Sequence, residues 1–201
     1  MTPVVRYLLI ACVAIFGVQY LLGDVVELNF ALWPPAREPG YPAFMPWQLV
    51  SYAFLHDPHN LFHLLFNMFA LYMFGPDIER LMGSKRFVIY YFVCVVTAAL
   101  AQLLVLHLMG NPPVPTVGAS GGIFGLLLAF GMAYPRRKLM LIFPPIPMPA
   151  WLFVTLYGLV ELYLGLTGNN AGVAHFAHLG GMVGGLALLL YWRAQRTAQR
   201  R

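Results

Sequence analysis

The sequence predicts an all-α membrane protein, a six-transmembrane-helix bundle with a long interfacial first loop, forming one domain over residues 1–201. Three observations carry that expectation. Apolar residues make up 60% of the chain and charged residues only 9%; charge-free runs reach spanning length; and basic residues gather at alternate connections. A soluble domain carries about 45–50% apolar and about 25% charged residues, and a chain this small cannot hide the excess from water. Soluble-enzyme, nucleic-acid-binding and disordered classes are therefore excluded together. The net charge of +5 says less than the positions of the charges. Cys12 and Cys94 both lie in apolar stretches and imply no disulfide framework.

A spanning helix needs about 20 mostly apolar residues. The run between Arg6 and Asp24 predicts a first span over 7–23, and the run between Asp57 and Asp77 a second over 58–76. The charge-free stretch 87–135 is too long for one helix and breaks at Gly110-Asn111-Pro112-Pro113-Val114-Pro115, because proline removes a helical donor and pushes its predecessor out of the α region. Spans three and four follow at 87–109 and 117–134. The stretch 139–192 holds one charge, Glu161, and breaks at Gly168-Asn169-Asn170, giving spans at 149–166 and 173–192.

Eleven of the 12 Lys and Arg residues fall on one side of these six spans, and only Arg37 falls on the other. The positive-inside rule then places both termini in the cytoplasm. The first span reads as a retained anchor, since its apolar run exceeds a signal-peptide core and lacks a cleavage motif. The first external loop, from Asp24 to Trp47, carries Trp33, Tyr41, Phe44 and Trp47 among Pro34, Pro35, Pro39, Pro42 and Pro46. Such aromatics suit the headgroup region, so the loop is expected to lie partly in the interface.

Polar side chains inside hydrocarbon are costly and tend to be functional. Three clusters stand out. His59, His63 and Asn67 follow at four-residue steps on the second span; Ser120 lies in Gly118-Ala119-Ser120-Gly121-Gly122 on the fourth; His175 and His178 begin the sixth. All three fall at external helix ends. Gly118 to Gly122 also fits the G-x-S-x-G nucleophile elbow, but an elbow joins a strand to a helix, and here proline-rich chain leads into an apolar helix. A nucleophilic Ser120 would thus belong to a Ser–His dyad, with a neutral imidazole taking the hydroxyl proton and returning it to the leaving amine. The only acid between the two is Glu161, read as a structural residue hydrogen-bonded within the bundle.

Glycine supplies the approach. Gly121/Gly125 on the fourth span, and Gly180/Gly184 and Gly181/Gly185 on the sixth, have the G-x-x-x-G spacing that lets helix backbones close on one another. His178, Gly181 and Gly185 share a face, so meeting glycine faces would bring Ser120 to His178. The 15 residues from Ser120 to Tyr134 make about 22 Å of helix against a hydrocarbon core of about 30 Å, which sinks Ser120 below the external surface. His63, Asn67 and the Ser120 N–H form a candidate oxyanion hole. Each group also has a plainer reading: serine as a packing residue, His63 and Asn67 as interhelical hydrogen-bonders, His178 and His107 as interfacial residues.

These residues resemble the rhomboid intramembrane serine proteases. His63-Leu-Leu-Phe-Asn67 is similar to the family's H-x-x-x-N, Gly118-Ala119-Ser120-Gly121 to its G-x-S-G, and Ala177-His178-Leu-Gly-Gly181-Met-Val-Gly-Gly185 to its A-H-x-x-G-x-x-x-G. The resemblance covers nearly the whole chain. It implies a rhomboid-like bundle, Ser120 as nucleophile, His178 as base, and oxyanion roles for His63 and Asn67. It implies that Phe124 packs on the base and that His56 braces the first loop. One departure is Trp47-Gln48, where many members carry Trp-Arg. The implied substrate is a single-pass membrane protein, reaching the site between the second and fifth spans, and the implied location is a cell (inner) membrane with the site opening externally.

Competing readings are a small transporter or channel, which broken helices would suit; a zinc enzyme using His59, His63, His175 and His178; and a non-catalytic adaptor of rhomboid-like fold. The halves show no repeat symmetry, no carboxylate shares the histidines' helices at that depth, and the Ser–His pair is intact, so the protease reading leads. It requires no cofactor, no metal and no nucleic-acid partner, only membrane-protein substrates and the bilayer.

Overall fold

In a computed structural model, residues 1–35, 41–110, 114–140, 145–167 and 174–199 are described. Helix α1 spans Pro3–Leu22 and α2 Asp24–Phe30; a short α3, Gln48–Ser51, runs into a 3-10 turn at Tyr52–Phe54. The longer helices follow as α4 Leu61–Met82, α5 Ser84–Met109, α6 Ser120–Ala133, α7 Ala150–Thr167 and α8 His175–Ala198. Each of the six expected spans therefore coincides with a helix (α1, α4, α5, α6, α7 and α8). Four of them, α1, α4, α5 and α7, are long and apolar enough to cross a membrane. Helix α6 has only 14 residues, and α8 is diluted by His175, His178 and four glycines in its first half.

Boundaries differ where a charge or proline ended an expected span. Helix α4 runs six residues past 76, through the buried Pro76, because Glu79 finds partners in place of water. Its carboxylate, 2% exposed, accepts the Val4 and Val5 N–H groups at 3.1 and 3.0 Å and the Ser84 hydroxyl at 2.7 Å. It thereby neutralises the positive N-terminal end of α1 and the orphan donors there. Asp77 beside it pairs with Arg80 and Arg137. Charges mark where hydrocarbon ends, not where a helix ends; α5 and α8 likewise carry Lys85, Arg86, Arg193 and Arg196 within their terminal turns.

One element was not expected. The connection from α6 to α7 holds a two-stranded antiparallel ribbon, β1 Lys138–Met140 with β2 Pro147–Pro149, Leu139 opposite Met148. Pro147 and Pro149 lack N–H groups, and two prolines at alternate positions of an edge strand are tolerated because the missing donors face away from the partner. The breaks expected at Asn111–Pro113 and at residues 168–170, and Arg37 and Pro39 of the first loop, lie outside the described residues.

Helices α5, α6 and α8 form the tightest part of the bundle, with α1 on α4 and α7 leaning on α6 and α8. Glycines set those contacts. A Cβ on Gly181 would strike the Gly121 carbonyl of α6, and one on Gly184 would strike Thr97 of α5. Gly180 meets Ala101, and Gly125 meets Cys94. The Tyr90 hydroxyl donates to the Gly125 carbonyl at 2.7 Å. Around this centre the outer faces are apolar: Phe62, Phe66 and Phe69 on α4, and Trp151, Leu159 and Leu166 on α7, are all exposed. That inversion is what a lipid solvent requires.

The described part of the first loop is tied down by hydrogen bonds. Leu32 and Thr116 exchange two backbone hydrogen bonds of 3.0 Å, tying the loop to the segment before Ser120. Fully buried Gln48 pins the loop: its Oε1 accepts from the Trp33 and Met45 N–H groups, both 3.2 Å, and its Nε2 donates to the Asn29 carbonyl at 3.3 Å. A neutral amide needs no counter-ion there. Trp47 and Tyr41 stay exposed while Trp33 is buried.

Replacing Glu79 with Ala leaves the α1 N-terminus uncapped and is expected to cost about 1–2 kcal/mol, read as the midpoint shift of SDS-titrated unfolding in micelles. Asp77→Ala, which removes only exposed ion pairs, is expected to shift it by under about 0.5 kcal/mol.

Candidate active site

Ser120 is the first residue of α6, three residues later than the expected span start. The delay has a local cause. Thr116 is held by Leu32, and Gly118, whose N–H donates to the Tyr52 carbonyl at 3.0 Å, sits at φ 125°, where a side chain is strained. The first intrahelical bond runs from the Ile123 N–H to the Ala119 carbonyl at 3.1 Å. The N–H groups of Ser120, Gly121 and Gly122 are therefore left at the positive end of α6.

His178 lies in the first turn of α8, and the Gly121–Gly181 contact brings that turn to Ser120. His178 Nε2 stands 2.8 Å from Ser120 Oγ. The Phe124 ring lies flat on the imidazole, centroids 4.2 Å apart and planes 8° from parallel. Ser120 is half-buried and His178 is buried.

Glu161 is hydrogen-bonded within the bundle, as the sequence reading has it, but its partners are site residues: its Oε2 meets His178 Nδ1 at 2.9 Å and His175 Nδ1 at 2.6 Å. The sequence reading of a Ser–His dyad puts no carboxylate on the imidazole, and the structure places Glu161 there from a third helix. The signal was present in the register of α7: Val154, Gly158, Glu161 and Gly165 follow at helical spacing, and the two glycines close on Met182 and on His175 and Phe176 of α8. A residue on that face points at α8. Since the carboxylate accepts from both rings, each is assigned as the Nδ1–H tautomer, which leaves His178 Nε2 as the acceptor for the serine proton.

His63 is half-buried on α4. Its Nδ1 accepts the Asp57 N–H at 3.3 Å, so Nε2 carries the hydrogen. A Cβ on Gly118 would lie 2.9 Å from His63 Nε2 and 3.7 Å from Ser120 Oγ; that donor and the hydroxyl face one small space which only glycine leaves open. Asn67 is buried and donates to the His63 carbonyl at 2.7 Å, and among the described residues no hydrogen bond joins it to Ser120. His59 is corrected: it is exposed in the turn before α4, not on the helix face, its N–H donating to Asp57 Oδ1 at 2.9 Å. His107 is exposed at the end of α5.

Gln19, missed from the sequence, clamps the main chain of His56 with two 2.9 Å hydrogen bonds. Its signal was a lone amide in the apolar first span. The buried His56 ring packs edge-on against His63, centroids 5.3 Å apart, and among the described residues its nitrogens have no partner. Burial, then the neighbouring His63, pulls the His56 pKa down to about 4.

Glu161, His175 and His178 place one ligand atom each within 4.8 Å of one another, a donor set that a divalent cation accepts. Their 2.6 and 2.9 Å spacings are those of hydrogen bonds. The four-histidine zinc set expected as an alternative is not what the fold gathers, since His59 and His63 lie outside this group.

Fold and geometry together define a polytopic α-helical membrane protein with a hydroxyl, an imidazole and a carboxylate aligned at a helix N-terminus. Residues 43–195 match the rhomboid domain family, and the chain belongs to that family. It is 29% identical to rhomboid protein 1, mitochondrial, of Saccharomyces cerevisiae, over 76% of this chain and 43% of that one. It is 30% identical to rhomboid protease GluP of Bacillus subtilis, over 69% of this chain and 24% of that one. Against rhomboid protease GlpG of Yersinia pestis it is 26% identical over 98% of this chain and 65% of that one. The chain thus spans less than two thirds of the length of each of these relatives.

Between pH 6.5 and about 4 the unfolded chain protonates His56 while the folded chain does not. Unfolding takes up protons there, so acidification through that window destabilises the fold. Thermal melts in detergent are expected to fall in that interval, with a shallower pH slope in His56→Phe; an unchanged slope would contradict the burial of a neutral ring.

Proposed function

We propose that this protein is an intramembrane serine endopeptidase that cleaves the transmembrane segments of single-pass membrane proteins. The observation that carries the reading is the 2.8 Å approach of His178 Nε2 to Ser120 Oγ at the start of an apolar helix. Family membership supports it, since two of the relatives are named rhomboid proteases.

In this mechanism Ser120 Oγ attacks the scissile carbonyl carbon as its proton passes to His178 Nε2. The oxyanion forms where the Ser120 N–H and His63 Nε2–H converge, in the space that Gly118 leaves open. Asn67 holds His63 through its carbonyl, and its second amide hydrogen is available to the oxyanion. The imidazolium then protonates the leaving amine. Water repeats the sequence in reverse and releases the acyl group. Phe124 keeps the imidazole in plane throughout.

Substrate reaches the site laterally. Helix α7 leans on α6 and α8 while α4 leans on α1, α5 and α6, so the path runs between α4 and α7. There Tyr157, 41% exposed and 6.1 Å from Phe124 centroid to centroid, borders the base. The basic connections lie at the far end of the bundle, where Arg137 meets Asp77 and Arg86 lies over Trp192. By the positive-inside rule that end is cytoplasmic, six helices cross, and the site opens on the external face of an inner or plasma membrane.

A fluorophosphonate probe is expected to label the solubilised protein once, on Ser120. Ser120→Ala should abolish the label, and His178→Ala should slow it by about 10³-fold or more, scored by in-gel fluorescence. Undiminished labelling of Ser120→Ala would remove the nucleophile assignment.

A further inference from the structure

We propose that Glu161 is a positioning residue of this site, making Ser120, His178 and Glu161 a three-membered relay, with His175 as the second donor that anchors the carboxylate. The inference rests on the Ser120–His178 reading and adds to it a group that a two-residue mechanism does not use.

The geometry is specific. A single oxygen, Glu161 Oε2, accepts from His178 Nδ1 at 2.9 Å while the opposite ring nitrogen of His178 faces Ser120 Oγ at 2.8 Å. Hydroxyl, imidazole and carboxylate therefore lie in one hydrogen-bonded line, and they do so in the chain order serine, acid, histidine. A carboxylate that accepts Nδ1–H selects the tautomer whose Nε2 can take a proton. Once that proton arrives, the same carboxylate faces an imidazolium.

Burial makes the placement costly unless it is used. Glu161 is 8% exposed in the middle of an apolar helix, where an unpaired carboxylate is expensive. His175 answers part of that cost: its Nδ1 stands 2.6 Å from the same oxygen, and its ring meets His178 edge-on, centroids 6.4 Å apart. Two donors on one oxygen fix the carboxylate where one would let it swing. His175 Nε2 has no partner among the described residues, and the Nδ1–H tautomer makes it a bare acceptor, so no N–H is stranded there. The groups facing His178 are thus Glu161 from α7, His175 from its own helix, and Ser120 from α6. Beyond them stand His63 on α4, and Tyr90 and Cys94 of α5, which lie deeper, against Gly185 and Gly125.

The contribution is readable in proteoliposomes holding a reporter transmembrane substrate. Glu161→Gln removes the charge and offers an amide whose NH₂ favours the wrong tautomer. The expected result is a kcat lowered about 10²-fold or more with KM within about twofold. The pH profile of the labelling rate should also differ from that of the wild type, since the charge beside the base is gone. Glu161→Asp, which keeps the charge, is expected to recover at least about tenfold of the loss. A purely structural glutamate would lower the folded fraction and leave the pH profile of the remaining activity in place. Glu161→Gln with wild-type kcat and pH profile, beside an inert Ser120→Ala, would overturn the relay and leave the serine mechanism standing; activity in Ser120→Ala would remove the mechanism itself. Should the Glu161 variants fail to fold, ¹⁵N-histidine NMR of the wild type decides: an Nδ1–H tautomer with a downfield proton is expected for His178, and an Nε2–H tautomer would overturn the proposal. Loss of labelling on chelation, restored by added zinc, would replace the relay with a metal site and overturn it as well.

Discussion

The backbones of α6 and α8 touch at Gly121 and Gly181, and the functional geometry follows from that contact. No side chain fits between the Gly121 carbonyl and the Gly181 α-carbon, so the helices approach as closely as peptide groups allow. Ser120 precedes one glycine by a residue and His178 precedes the other by three, so the contact carries hydroxyl and imidazole to 2.8 Å. Gly180 and Gly184 press α8 on α5 at the same time. Helix α8 is therefore gripped on two sides, and its first turn cannot move independently of α6. In lipid, where apolar burial between helices is weak, such backbone packing is the available source of precision.

A second constraint is electrostatic. Among the described residues two carboxylates are buried, Glu79 and Glu161, and each finds more than one donor. Glu79 ties the start of α1 to the end of α4 at one end of the bundle. Glu161 ties α7 to α8 at the other, beside Ser120. Helix α7 is otherwise lightly held, with Ala150, Val154 and Glu161 its only buried residues. Glu161 therefore couples the position of this lightly held helix to the orientation of the His178 ring, which is a physical reason to put an acid there in spite of its cost.

Much of this was legible in the residues. Charge-free runs located all six long helices, and the three polar clusters and the glycine spacing anticipated which groups would meet. What escaped notice has specific causes. A charge-based boundary stops at Asp77, but α4 continues because Glu79 caps another helix. Helix α6 starts at Ser120 because Thr116 is bonded to Leu32, a partner more than eighty residues earlier that no local pattern reveals. Gln19 and Gln48 act on main-chain groups, so nothing in the sequence names their partners. Glu161 was visible as an isolated acid, and reading the small residues of α7 as a face would have aimed it at α8. The ribbon at β1 and β2 depends on pairing between short, proline-interrupted segments, which periodicity cannot detect.

The central claim is that this half-buried serine, activated by His178, hydrolyses peptide bonds of membrane-spanning segments. The most direct measurement is to reconstitute the purified protein with a panel of single-pass transmembrane substrates and map both product termini by mass spectrometry. Cleavage at one peptide bond within or at the external edge of a hydrophobic segment, present with the wild type and lost with Ser120→Ala, is the expected result. Products confined to soluble flanking sequence, or cuts that persist without the Ser120 hydroxyl, would contradict it.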